Sequence, residues 1–336
     1  MNTYRAYVLE KSTEFASGSV RQMTTDQLPG SSEDVTIRVH YSSLNYKDAL
    51  AAMPVSPVVK RYPFVPGIDL AGTVIDAGSS SLSVGQPVLV TGYELGVTHD
   101  GGFSELARVP ASWIVPLPDG LTPKEAMLLG TAGFTAALSV MELEHCGLQR
   151  ATDRHVLVTG ATGGVGSVAV SLLAKLGYQV TASSGKLHET EYLQQLGASE
   201  IIERDELTKQ AGQPLLRERW AAAVDPVGGS ALPVVLGSLQ YGGGAAVSGL
   251  TGGASFDATV YPFILRGIKL LGIDSVQCPM EKRLELWSRL AGDWKPDTYL
   301  KAGHQVIGLH ELPAAFEAIL AGRMRGRVLV SMQEEA

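Results

Sequence analysis

Cysteine is nearly missing from this sequence: two residues in 336, Cys146 and Cys278. Two thiols so far apart supply neither a disulfide framework nor a cluster of thiolate ligands, so both read as ordinary thiols. Dense Lys/Arg blocks are missing too, and 27 basic against 34 acidic residues leave a net charge of −7. That balance argues against nucleic acid as the main partner, while a local basic patch for an anionic ligand stays open. No apolar run approaches the roughly 20 residues that span a bilayer, so membrane insertion is not expected. The first ten residues lack the basic start and apolar stretch of a signal peptide, and a cytoplasmic location is expected. His40, His99 and His145 are scattered without ligand spacing and read as surface or core histidines.

What is present is a chain long enough for two domains, with an ordinary 45% hydrophobic content. From Arg5 to about Val115, short strand-like runs such as VTIRVHYSSL at 35–44 and AGTVIDAG at 71–78 are broken by Gly and Pro. Such spacing predicts a barrel-like β domain. After Pro116 the character changes: residues 121–148 are rich in Ala, Leu and Met, with Thr122 as N-cap and Pro123 in the first turn of a helix. Residues 155–274 alternate apolar β runs (HVLVTGA, YQVTASSG, EIIER, AAAVDPVG, GGAAVSGL, IKLLGID) with helical segments. A parallel sheet with crossover helices requires that alternation. The closing pieces, EKRLELWSRLAG, QVIGL, ELPAAFEAILAG and GRVLVSM, read as helix, strand, helix and strand returning to the first domain. The expected division is 1–120 with 280–336, and 121–279.

The sharpest motif is the turn Gly160-Ala161-Thr162-Gly163-Gly164-Val165-Gly166, directly after HVLVT and directly before SVAVSLLAKLG. Small residues let the backbone turn tightly against a pyrophosphate, and the following helix offers free N–H groups and the positive end of its dipole. Its glycines at 160, 163, 164 and 166 depart from the plain G-x-G-x-x-G form, so strand–turn–helix context carries the dinucleotide reading. The bland alternative is a Gly-rich turn without a ligand. At the end of the next strand, where an NAD-specific fold places an acid against the ribose 2′-hydroxyl, stand Ser183, Ser184, Gly185 and Lys186. Hydroxyls and a cation suit a 2′-phosphate, and Arg204 at the end of EIIER is placed to close the same pocket, which favours NADPH. Otherwise Lys186 and Arg204 are solvated surface charges.

Beyond these motifs, SSLNYKDALA at 42–51, PFVPGIDLAGTV at 63–74, GGFSELARVP at 101–110, GTAGFTA at 130–136, TGATGGVGS at 159–167, EYLQQLGAS at 191–199, PFILRGIKLLGIDSV at 262–276 and GRVLV at 326–330 resemble the medium-chain dehydrogenase/reductases. Within that superfamily the likeness is to the quinone-oxidoreductase-like branch that contains acrylyl-CoA reductases, over nearly the whole chain. The resemblance implies an α/β fold: a GroES-like β-barrel-type catalytic domain formed by both chain ends, and an inserted Rossmann domain with a doubly wound parallel sheet. It implies a homodimer joined edge to edge through the Rossmann sheets. It carries pyrophosphate binding onto Thr162, Gly163, Gly164 and Val165, and 2′-phosphate binding onto Ser184, Gly185 and Lys186. The family commonly has Arg at the position of Lys186, so the bidentate fork is lost and the charge kept. Arg204, Leu250, Ile264, Ser275 and Arg325 match further cofactor contacts, and Tyr46 matches the tyrosine beside the nicotinamide.

Zinc-dependent members have Pro-Gly-His-Glu where this chain has Pro66-Gly67-Ile68-Asp69, so a histidine ligand is missing and no metal is expected. Without a Lewis acid, simple alcohol oxidation gives way to reduction of an alkene conjugated with a carbonyl, most simply acrylyl-CoA to propionyl-CoA. Asn45 and Tyr46 are the expected catalytic residues, as donors toward the carbonyl oxygen or in placing the nicotinamide. A phenol with an ordinary pKa near 10 is a weak acid, which favours positioning over proton donation for Tyr46. Asp48 and Asp69 read either as site groups or as buried structural carboxylates. Lys60 and Arg61 read as CoA phosphate contacts or as solvated cations. Two other functions stay open: a quinone or enone reductase with the same cofactor features, and a non-catalytic NADPH-binding sensor.

Overall fold

The computed structural model describes residues 3–15, 17–150, 153–209 and 212–333. By packing, the chain divides into two compact units, Met1–Thr131 with Val276–Ala291 and His304–Ala336, and Ala132–Ser275 with Gly292–Gly303. Composition put the first boundary at 120, where helical character begins. Packing puts it after Thr131, inside the helix Pro123–His145, and assigns 292–303 to the second unit.

The first unit is mainly β. Strands β1 (Thr3–Leu9) and β2 (Gly18–Thr24) form an antiparallel ribbon. Strands β3 (Val35–Ser43), β4 (Asp69–Asp76), β5 (Pro87–Thr91), β6 (Leu106–Val109) and β7 (Val115–Pro116) belong to a seven-stranded sheet that also takes in Gln305–Ile307 and Val328–Ser331 near the C-terminus. Residue 329 pairs with Ser43 and 330 with Ser42 in antiparallel register, which sews the end of the chain to the strand ahead of Asn45. Alternation along these strands buries Ile37, Val39, Leu70, Val74, Val88 and Val90 in one core with Phe103 and Phe316.

Helix α1 here denotes Pro123–His145, whose start is capped as its sequence predicts: Glu125 N donates to Thr122 Oγ1 at 3.2 Å and Thr122 N to Glu125 Oε2 at 2.9 Å. By length and composition it is apolar enough to cross a membrane, contrary to the expectation that no such run exists, but 89% of its most apolar stretch is buried inside the protein. Helix periodicity is broken at Gly130, with φ 52° and ψ −155°.

The second unit holds a parallel six-stranded sheet of β8 (His155–Val158), β9 (Val180–Ser184), β10 (Glu200–Glu203), β11 (Trp220–Asp225), β12 (Leu239–Val247) and β13 (Lys269–Gly272). Its order is β10-β9-β8-β11-β12-β13, the doubly wound Rossmann arrangement. Each strand falls within one of the six apolar β runs read from the sequence or overlaps it. Helix α2 (Gly164–Lys175) follows β8 directly and buries Val168, Val170, Leu172 and Leu173.

Candidate active site

In the second unit the glycine turn links β8 to α2 in a strand–turn–helix arrangement. Gly163 is the N-cap of α2, and Gly163, Gly164 and Val165 are partly open to solvent, so the first N–H groups of the helix are reachable. The turn is held from within: Gly163 N donates to Gly160 O at 2.9 Å, Ser167 Oγ to Ala161 O at 3.1 Å, and Ala161 N to Ser183 O at 3.0 Å. A Cβ on Gly166 would lie 2.3 Å from Gly160 O, so only glycine permits this close approach of helix to turn.

Beside the turn, the expected 2′-phosphate residues come together. Thr162 Oγ1 and Ser184 Oγ are 3.4 Å apart, and Lys186 N donates to Ser184 Oγ at 2.9 Å. A Cβ on Gly185 would stand 3.0 Å from Arg204 Cζ, so the guanidinium lies over the Gly185 backbone. Arg204 Nε also lies 3.6 Å from Asp205 Oδ1. Partial burial pulls the Lys186 ammonium below its ordinary pKa, with Glu189 opposing the shift. No carboxylate ends β9; Ser184 occupies that place, and the Ser183 hydroxyl beside it is buried with no hydrogen-bond partner among the described residues. This cluster fits a dinucleotide carrying a 2′-phosphate.

The other expected cofactor residues are more dispersed. Leu250 and Ile264 are 57% and 68% exposed. Ser275 is buried, its Oγ accepting from Thr135 Oγ1 at 2.9 Å. Arg325 is exposed in the turn ahead of the last strand, and the arginine that enters the interior is Arg327, which the sequence reading passed over.

In the first unit Asn45 caps the short helix Tyr46–Ala51, and its side chain is engaged inside the chain. Its Nδ2 donates to Ser43 O at 3.1 Å and to Asp69 Oδ2 at 2.8 Å, and its Oδ1 accepts from Arg327 Nη1 at 2.8 Å. Both amide hydrogens are engaged inside the chain, which ties Asn45 to Ser43 and Asp69. Tyr46 is half-buried, and its hydroxyl makes no hydrogen bond among the described residues.

Asp69 is fully buried at the start of β4. Its Oδ2 accepts from Ser43 Oγ at 2.7 Å, Thr131 N at 3.0 Å and Arg327 Nη2 at 3.2 Å, and its Oδ1 from Thr131 Oγ1 at 2.5 Å. The break at Gly130 turns Thr131 into this network. A Cβ there would lie 2.5 Å from Asp69 Oδ2 and 2.8 Å from Arg327 Nη2. Asp48, also fully buried, accepts Asn45 N at 2.8 Å and Ile68 N at 3.0 Å. Burial, reinforced by the nearby charge of Asp69, pushes its carboxyl up to about 7. Ile68 thus contributes only its backbone N–H to this network, and no group of three His, Cys, Asp or Glu able to hold a metal occurs among the described residues. Arg61 Nη2 pairs with Asp100 Oδ1 at 2.9 Å, which offsets its charge toward an anion, while Lys60 is exposed. Ser43, Gly130, Thr131 and Arg327 were not predicted; the one signal was a lone arginine at the head of an apolar strand in GRVLV.

Two family models match the chain: an alcohol dehydrogenase GroES-like domain over residues 31–119 and a zinc-binding dehydrogenase domain over residues 164–291. A Bacillus subtilis protein provisionally named a quinone oxidoreductase is 50% identical over 329 residues, covering 98% of this chain and 99% of that one. Its solved structure, with NAD bound, superposes with a TM-score of 0.94 at 49% identity, over 98% of this chain and 100% of that one. An acrylyl-CoA reductase of Ruegeria pomeroyi is 46% identical over 333 residues, covering 98% and 99% of the two chains. An oxidoreductase from Salmonella enterica, solved in complex with NADP, matches with a TM-score of 0.93 at 45% identity, over 98% and 100%.

Proposed function

The chain belongs to the quinone-oxidoreductase-like branch of the medium-chain dehydrogenase/reductases, and from that premise we propose that this oxidoreductase reduces an activated carbon–carbon double bond with NADPH, converting acrylyl-CoA to propionyl-CoA without a metal. The observation that carries the substrate is the 46% identity to the Ruegeria pomeroyi acrylyl-CoA reductase across essentially both whole chains. The cofactor rests on the cluster at the end of β9, where Ser184, Lys186 and Arg204 stand in place of an acid.

Bound NADPH supplies a hydride for the β-carbon of an alkene conjugated with an acyl group. The chain's own residues bind and orient. The N–H groups of Gly164 and Val165 and the dipole of α2 hold the pyrophosphate, and Ser184, Lys186 and Arg204 hold the 2′-phosphate. Tyr46 packs beside the nicotinamide, and solvent delivers the proton to the substrate α-carbon. The protein works as a cytoplasmic homodimer; in support, Val260, Tyr261, Ile264 and Leu265 are exposed just ahead of β13, the last strand of the sheet.

The test is loss of 340 nm absorbance when purified protein meets NADPH and acrylyl-CoA, with NADH and a simple quinone run in parallel. Fast oxidation confined to NADPH with acrylyl-CoA is expected. Oxidation driven by quinone alone would favour the second reading, a quinone or enone reductase, which draws on the name of the Bacillus subtilis relative. No oxidation with any acceptor would leave the sensor.

A further inference from the structure

Tyr46 has no polar anchor of its own. Its hydroxyl is unbonded among the described residues and its ring is only half-buried, so its direction depends on how the backbone enters the helix Tyr46–Ala51. That helix is short, and its N-cap residue is held from two sides: Asn45 N donates to Asp48 Oδ2 at 2.8 Å, and Asn45 Oδ1 accepts from Arg327 Nη1 at 2.8 Å. Arg327 Nη1 donates in addition to Leu44 O at 2.9 Å, and Nη2 donates to Ser43 Oγ at 2.5 Å. One guanidinium therefore grips three successive residues, 43, 44 and 45, immediately ahead of Tyr46. It is itself held by Asp69 and is only 4% exposed. The planar fork of arginine is what makes this possible; a point charge cannot satisfy three acceptors on residues 43–45 and the Asp69 carboxylate at once.

We propose that Arg327 is a positioning residue for Tyr46: it fixes the backbone of residues 43–45, and through them the direction in which Tyr46 is presented. The proposal rests on the reading that Tyr46 serves the NADPH-dependent reduction. It gives Arg327 a part in the reaction that is separate from its part in stability.

The test is a double-mutant cycle in the full-length protein between Arg327→Met and Tyr46→Ala. It is read first as kcat for NADPH oxidation, with whichever of acrylyl-CoA or quinone the wild-type protein reduces. It is read second as the emission yield of NADPH added with no acceptor present. In the wild-type background Arg327→Met is expected to lower kcat about tenfold, to alter the emission yield, and to leave KM for NADPH within about twofold. In the Tyr46→Ala background it is expected to change kcat by less than about twofold and the emission yield not at all. Losses that multiply in the two backgrounds, or a rise in KM that matches the fall in kcat, would overturn the proposal. If Arg327→Met does not fold, Arg327→Lys takes its place, since it keeps a cation for Asp69 and gives up the forked contacts. The same coupling to Tyr46 is expected of it, and full activity in that variant would also overturn the proposal. A wild-type protein that reduces neither acceptor refutes the proposed function, and the emission cycle then decides this inference alone.

Discussion

Arg327 and Asp69, 258 positions apart in sequence, form an ion pair at 3.2 Å with 4% and 0% of their side chains exposed. A buried pair of this kind adds little over a well-packed apolar pair, but removing one partner strands the other charge. Arg327→Met is therefore expected to cost about 3–5 kcal/mol of unfolding free energy, read from urea unfolding. A loss under about 1 kcal/mol would mean that water reaches Asp69 in the variant.

Burial, with the charge of Asp69 added to it, raises the Asp48 carboxyl to about 7 against the opposing pull of Arg327. A carboxyl raised on folding holds its proton in the folded state at pH values where the unfolded chain has released it. Its contribution to stability is thus full below the ordinary carboxylate range and is lost as pH climbs to about 7. Asp48→Asn removes that titration. Measured by thermal melts, the variant is expected to gain on wild type by on the order of a few kcal/mol between pH 4 and pH 8. Parallel curves would show that Asp48 ionises at its ordinary pKa.

Gly130 and Gly322 both have positive φ, 52° and 66°, but only Gly130 has neighbours where a Cβ would go. Gly322→Ala is expected to cost about 1–2 kcal/mol, the backbone strain alone. Gly130→Ala must also push apart Asp69, Ser43 and Arg327, and is expected to exceed about 4 kcal/mol. Equal losses in denaturant midpoints would argue against the packed network.

For the cofactor, Lys186→Ala and Arg204→Ala are each expected to raise KM for NADPH about tenfold and leave that for NADH within about twofold, since each would remove a charge-assisted contact proposed for the 2′-phosphate alone. Equal effects on both cofactors in steady-state assays would sink the assignment of this cluster.

Tyr46→Phe keeps the ring and removes the hydroxyl. A loss in kcat below about tenfold is expected if the ring only positions. Near-abolished turnover would make Tyr46 the proton donor.

Period and turn chemistry are local properties, and what depended on them was readable from the amino-acid order. Six apolar runs separated by helical segments have one economical arrangement, the parallel sheet of β8 to β13. The glycines at 160, 163, 164 and 166 carry their own steric requirement, and Thr122 with Glu125 its own cap. Ser184, Lys186 and Arg204 were also readable, because neighbouring parallel strands bring their ends together by register: Ser184 pairs with Glu203, one residue before Arg204.

The first unit was less readable where polar groups are buried. Nothing local separates Arg325, exposed, from Arg327, interior, or marks Asn45 as bound to Asp69 and Arg327. The helical composition of 121–148 likewise conceals the break at Gly130 that delivers Thr131 to Asp69. A buried charge is tolerated only where a partner meets it, and here the partners come from β3, β4, the break in α1 and the last strand's approach. The sequence by itself determined the elements and the glycine turn, through periodicity and backbone sterics. Only the tertiary structure decided which arginine is buried and what anchors residues 43–45 ahead of Tyr46, because those depend on long-range pairing of polar groups removed from water.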